Sequence, residues 1–300
     1  AVVAGPAGSG WRAAFAGNEK RGNRTMVDDE RVVELAKMTS PDAGAALTRA
    51  EVAIVPVGAT EQHGPNLSLE TDTAIAAGLA RRIAEAVYPR AVVAPALPYG
   101  VSHHHMRFPG TLTISPDAFQ AVLLDLARSL RRHGAPRIFI VDGHAGNQGA
   151  LDVLMTKLRF EHGIPTAYLF YFTIAGDVIA GGVKTERWGH ACELEASLGL
   201  VFQPDIVHRE SLAPGAVRTP RLPFSDPREP RRLGVPLWFD EITDNGALGD
   251  ARQASVEFGT DVADAVVTRT AAFLERFIAV DVDGETAFTP VDREPTSSRG

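Results

Sequence analysis

Three hundred residues carry 30 Lys and Arg against 37 Asp and Glu, a formal net charge of −7, and 45% of the chain is hydrophobic. That is the composition of a globular protein long enough to bury its own core, and an acidic balance without a basic block excludes nucleic acid or an anionic membrane as the main partner. The single cysteine, Cys192, excludes an intramolecular disulfide framework and an all-thiolate zinc site, so the expected compartment is reducing and cytoplasmic and any metal falls to histidines and carboxylates.

Residues 1–25 are rich in Ala, Gly and Arg without a continuous apolar stretch, and read as an extension with no role in the fold. Met26 opens VDDERVVELAKM, which reads as an amphipathic helix. From about residue 50, short β-branched runs alternate with longer helical patterns, the signature of a sheet covered by helices. EVAIVPVG reads as a buried strand, TDTAIAAGLARRIAEAV as a helix and AVVAPAL as a second strand. Ser115, Pro116 and Asp117 supply an N-cap, a proline at the first helical position and an acid in the first turn, opening a helix to about His133. Strand 137–142, helix 147–162, strand 166–172 and helices 189–201 and 259–278 follow.

The Pro- and Arg-rich stretch 214–232 reads as a long loop and 291–300 as a flexible tail. The expectation is one α/β domain over 26–290. No apolar run approaches the roughly 18 residues that span a bilayer.

Three strings carry candidate chemistry. Glu61-Gln62-His63-Gly64 follows the first strand directly, with Asp72 at the start of the next helix. In open α/β sheets ligands gather outside the carboxyl ends of strands, where these residues fall. Asp142-Gly143-His144-Ala145-Gly146-Asn147 follows another strand, with glycines that allow close backbone approach. The third string is Gly189-His190-Ala191-Cys192-Glu193-Leu194-Glu195. Glu193 and Glu195 cannot share a helix face, and the apolar stripe through Leu194 and Leu198 leaves open which of them points inward. Each string also admits a purely structural reading, as solvated acids, turn residues and helix caps. Taken together, imidazoles and carboxylates at separate loop ends suit a dinuclear site for Zn, Mn or Fe. No glycine-rich phosphate loop follows a strand, which leaves nucleotide binding without support.

The segments VPVGATEQHGPNLSLETD, YGVSHHHMRFPGTLTIS, VDGHAGN and GHACELEASLGLVFQPDIV occur in an order and spacing that resembles the creatininase (creatinine amidohydrolase) family, over roughly residues 50–210. The resemblance implies a three-layer α/β/α sandwich around a mostly parallel sheet, and two divalent metal ions per subunit that activate a bridging water to cleave a C–N amide bond in a small cyclic or linear amide. It implies Glu61, His63, Asp72 and His144 as metal ligands, with Asp72 bridging, and Glu195 as a fifth. It implies His190 as the group passing a proton to the leaving nitrogen, and a homo-oligomer, commonly a hexamer.

Members that hydrolyse creatinine carry a Tyr-Glu pair after the second-motif histidine, and here Ala145 and Gly146 stand in its place. The chain is closer to members reading H-G-G-N, and the alternatives are a maturation peptidase or deformylase of a cofactor pathway, of the mycofactocin type, or a non-catalytic binding protein on the same fold. The family's usual second histidine in the first motif is Asn66 here. His105, Trp188 and Asn147 are expected on the substrate side, His103 and His104 at the surface or an interface. Cys192 reads as a small buried hydrophobe.

Overall fold

The computed structural model describes residues 32–280 apart from positions 228 and 230. The expected extension at 1–25, the tail at 291–300 and the first residues of VDDERVVELAKM lie outside the described residues. The described part of that last segment is not helical. It runs extended, bridges Glu34 to Val93 and makes one 3-10 turn, Leu35–Lys37. The first helix, α1 (Ser40–Arg49), comes afterwards, where Thr39 accepts from Asp42 N–H and Pro41 occupies the first turn. Cap chemistry prevailed over apolar spacing there.

Four strands form one parallel sheet in the order β2-β1-β3-β4: β1 (Val52–Val57), β2 (Ala91–Val93), β3 (Ile138–Asp142) and β4 (Thr166–Phe170). The register pairs Ile54 with Val93 and Phe139, and Val141 with Leu169. Both faces of β1 and β3 are buried, as near-continuous apolar strands of a parallel sheet require. Pro95 ends the ladder of β2 early, so the expected strand to residue 97 contributes only a single bridge from Leu97 to Val57.

Alternate side chains of the strands feed two cores. Val52, Ile54, Phe139 and Val141 pack with α2 (Thr71–Ala86), α7 (Glu193–Phe202) and α8 (Val256–Ala279). Ala53, Val55, Ile138 and Ile140 face α1, α3 (Pro116–Arg132) and α4 (Gln148–Thr156) on the other side. These are the three layers expected. Between β4 and α7 the chain makes two short helices, α5 (Tyr171–Ile174) and α6 (Gly176–Gly182). The aromatic run predicts strand through Phe172, but Tyr171 turns into the first core and is fully buried there.

Helix α8 starts earlier than expected because Ser255 caps it, accepting from Phe258 N–H at 3.1 Å. Gly259 then lies inside the helix, where a Cβ would stand 2.2 Å from Ser197 O and push α8 off α7.

The carboxyl ends of β1 and β3 meet the N-terminus of α2. A Cβ on Gly58 would stand 2.5 Å from the Thr73 backbone, and one on Gly143 2.2 Å from Asp72 O. This is close backbone approach that only glycine permits. Gly143→Ala is therefore expected to destabilise the fold by about 2 kcal/mol or more. Gly149→Ala, where a Cβ in α4 meets nothing within 4 Å, should leave the thermal midpoint unchanged or raise it. Thermal unfolding of the two variants checks this.

Candidate active site

Every motif residue singled out in the first and second strings emerges at that carboxyl edge. Glu61 and His63 lie on the loop after β1, Asp72 in the first turn of α2, and His144 just after β3. The third string does not start its helix at Gly189 as expected. Gly189 (φ +138°) and Ala191 (φ +50°) are in left-handed backbone, and α7 starts at Glu193. Ala191 is held there from both sides: its N–H donates to Glu195 Oε2 and its carbonyl accepts from Asn66 Nδ2 at 2.9 Å. His190 is thereby carried on extended chain over the cluster while Glu195 enters from the helix.

The side chains converge on buried carboxylates. Asp72 Oδ1 lies 3.3 Å from His63 Nε2, and Asp72 Oδ2 lies 3.2 Å from His144 Nδ1. Glu61 approaches His144 Nε2 at 3.2 Å, His105 Nε2 at 3.3 Å and His190 Nδ1 at 3.6 Å. Glu195 reaches His63 Nε2 at 3.8 Å.

Glu193 does not belong to this group. Its carboxylate accepts from Lys184 N, Thr185 N and Asp250 N at 3.2, 2.9 and 3.1 Å, pinning the chain on either side of α7. The choice that periodicity left open is made by these loops, and Glu195 is the acid that faces the histidines.

Hydrogen bonds fix which ring nitrogens are free. His63 Nδ1 donates to the Glu61 carbonyl at 3.0 Å, which leaves Nε2 as the nitrogen facing Asp72 and Glu195. His190 Nε2 donates to the Gln62 carbonyl at 2.8 Å and turns Nδ1 toward Glu61. Gln62, between two motif residues but given no role by its spacing, is buried and organises the wall. Its amide donates to His105 Nδ1 (2.8 Å) and to Gly246 O (3.1 Å).

Burial raises the Glu61 carboxyl to about 7, against the pull of His144 and His63. Burial would also raise Asp72, but His63 and His144 hold it well below the usual carboxylate range. Burial works against charge on His144, yet Glu61 and Asp72 hold it up to about 10; burial likewise opposes charge on His63, but Asp72 and Glu195 leave it well above its ordinary value. Burial and the neighbouring imidazoles keep His105 and His190 well below theirs, and burial takes His104 down to about 4.

The buried atoms Glu61 Oε2, His63 Nε2 and Asp72 Oδ2 have no hydrogen-bond partner. Glu61, His63 and Asp72 each offer a donor atom within 4.8 Å of the others, as do His63, His190 and Glu195. Orphaned oxygen and nitrogen donors aimed at one another fit a divalent cation of borderline hardness.

Glu61, Asp72, His144, His190 and Glu195 line a cavity of about 1020 Å³, with His63 buried behind them. His105 stacks on Phe239 at 3.9 Å between centroids, and Trp188 stacks on Phe172 at 5.8 Å. Trp188 and His105 line the cavity, joined by Trp238 and Phe239 from the chain beyond the Pro-rich loop. His103 and His104, expected at the surface or an interface, also line it from the 3-10 turn His103–His105, the first exposed and the second half-buried.

Asn147 lies behind the wall, fully buried, its amide committed to Val101 N, Gly58 O and Asp142 Oδ1. Asn66 likewise bonds Ala191 and Ala213 and does not line the cavity. Cys192 packs in the core, its thiol pushed up to about 12 by burial.

Residues 36–274 match the family model for creatininase, creatinine amidohydrolase. The chain belongs to the creatininase family. It is 35% identical over 233 residues to the mycofactocin precursor peptide peptidase of Mycolicibacterium smegmatis, covering 75% of this chain and 84% of that protein. A solved structure of creatinine amidohydrolase superposes with a TM-score of 0.70 at 26% identity, over 84% of this chain and all of the other. Another, described as "Creatininase Mn", gives 0.68 at 26% identity over 82% and 99%. The three-layer creatininase-like fold and amidohydrolase family membership thus stand together.

Glu193 accepts through both carboxylate oxygens, so an amide NH2 in place of one turns a donor on a backbone N–H and is expected to cost about 1–2 kcal/mol. In chelator-treated protein, Glu193→Gln should therefore lower the thermal midpoint, whereas Glu195→Gln, which removes a buried charge from the cluster, should leave it unchanged or raise it.

Proposed function

We propose that this protein is a metal-dependent amidohydrolase that cleaves a C–N amide bond within a peptide. The observation that carries the reading is the convergence of Glu61, His63, Asp72, His144 and Glu195, with orphaned donor atoms, at the floor of a deep, aromatic-walled cavity. Its volume, about 1020 Å³, lies at the upper end of the roughly 300–1,000 Å³ typical of small-molecule pockets and suits several residues of chain better than one small ring. The greater identity to a peptide peptidase than to creatinine amidohydrolase favours the same substrate class. A small cyclic or linear amide is the second reading, supported by the family match itself.

Glu61, Asp72 and His144 form one half of the proposed metal site, and His63, Asp72 and Glu195 the other, with the two oxygens of Asp72 facing opposite ways. Two divalent ions bound there supply Lewis acidity and a water acidic enough to attack an amide carbonyl near neutral pH. His63 is held in the ligating tautomer by the Glu61 carbonyl. His190, neutral and anchored at Nε2, takes up a proton at Nδ1 and delivers it to the leaving nitrogen. Phe239, Trp188 and Trp238 exclude water and pack the substrate on either side of the scissile bond.

Purified protein is expected to hold about two equivalents of Zn, Mn or Fe per subunit by elemental analysis. Chelation should abolish hydrolysis of a peptide panel, and re-addition of the metal should restore it. Turnover of creatinine but not of peptides would replace the first reading with the second; a metal-free, inactive protein would remove both. The same reading takes the protein as a cytoplasmic homo-oligomer, a hexamer by family resemblance. Light scattering of the purified chain checks it, and a stable monomer counts against it.

A further inference from the structure

His104, a half-buried imidazole of the cavity wall, has no task in the proposed reaction. Its ring nitrogens have no hydrogen-bond or ion-pair partner among the described residues, whereas those of His63, His105, His144 and His190 all do. It is half-buried, beside fully committed neighbours, on the 3-10 turn His103–His105. A half-buried imidazole with both nitrogens idle in a polar cavity forgoes hydrogen bonds that water or a partner would give it.

Its position says what it faces. The His104 ring runs nearly parallel to that of His144, 17° apart with centroids at 5.8 Å. Donor atoms of Glu61, His104 and His144 all lie within 4.8 Å of one another, a span within which three ligands can share one ion once bond lengths of about 2.0–2.2 Å draw them in. Glu195 belongs to a different donor group, with His63 and His190.

Gly146 is the other half of the arrangement. A Cβ there would stand 2.8 Å from His104 Cε1 and 2.4 Å from His144 Nε2. The Val101 carbonyl oxygen would also lie 2.4 Å from that Cβ, so position 146 carries no side chain, and the His104 ring stands in the space left beside His144.

We propose that His104 is a metal ligand that completes, with Glu61, Asp72 and His144, the half of the site away from Glu195. Four protein donors, two imidazole nitrogens and two carboxylate oxygens, then surround that position. The proposal rests on the reading that the site binds divalent ions.

The test measures metal binding rather than turnover. Wild type, His104→Phe, His104→Glu and His103→Ala are stripped, reloaded with Zn(II) or Co(II), and passed into buffer at a fixed free-metal concentration. Elemental analysis, Co(II) ligand-field absorption and circular dichroism are recorded on each. His104→Phe keeps the bulk of the ring without its lone pair, and is expected to lose about one of two equivalents, or to bind it at least about tenfold more weakly, with altered Co(II) absorption. His104→Glu should recover occupancy with a spectrum unlike wild type, and His103→Ala should match wild type. Both equivalents held by His104→Phe at unchanged affinity and spectrum would overturn the ligand assignment while leaving the metal reading intact. Wild type that takes up no metal would overturn both. Should His104→Phe fail to fold, an unaltered Co(II) spectrum in His104→Glu overturns the assignment equally.

Discussion

The N-terminus of α2 presses on the ends of β1 and β3 so closely that neither Gly58 nor Gly143 has room for a side chain. That contact brings Asp72 between the loop carrying Glu61 and His63 and the turn carrying His144. A parallel sheet delivers its loops to one edge, but loops alone would leave the acids and histidines in separate crevices. The backbone contact closes the distance to that of hydrogen bonds.

Concentrating carboxylates and imidazoles in a buried place is costly unless they neutralise one another or a cation. The opposite displacements of Asp72 and His144 record mutual attraction, and the elevation of Glu61 records burial outrunning it. Around the cluster stand groups that hold its geometry without joining it. Asp142 accepts from His144 N and Asn147 Nδ2, its carboxyl raised to about 7 by burial. Glu193 ties the chain on both sides of α7, Asn66 holds Ala191, and Gln62 holds His105. The cost of burying these groups is offset by hydrogen bonds to backbone, which also restrict the donors to few rotamers.

The two short glutamate side chains of α7 illustrate how little a local pattern says about such a place. Both are buried, at 1% and 3% exposure for Glu193 and Glu195, so burial does not separate them. What separates them is the path of residues 184–185 and 250, which offer amide donors to one and not the other. His104 and Phe239 are similar cases. The first is one of three consecutive histidines that all line the cavity, exposed, half-buried and buried in turn, and the second follows a Pro-rich loop without a spacing signature.

The sequence by itself determined the sheet, most of its helices and the residue types at its carboxyl edge. Hydrophobic period, cap residues such as Ser115 and glycine-flanked histidines act over a few residues and are therefore readable one segment at a time. Where it misled, at 32–38, at Tyr171 and at the start of α7, a cap, a core contact or a side-chain bond from outside the segment prevailed over local preference. Only the tertiary structure decided which donors face one another: Gln62 meets Gly246 across 184 residues of chain, and His190 meets the Gln62 carbonyl across 128. Pairings at such separations arise from how α2, α7 and the loops dock on the sheet, and no local period encodes that docking.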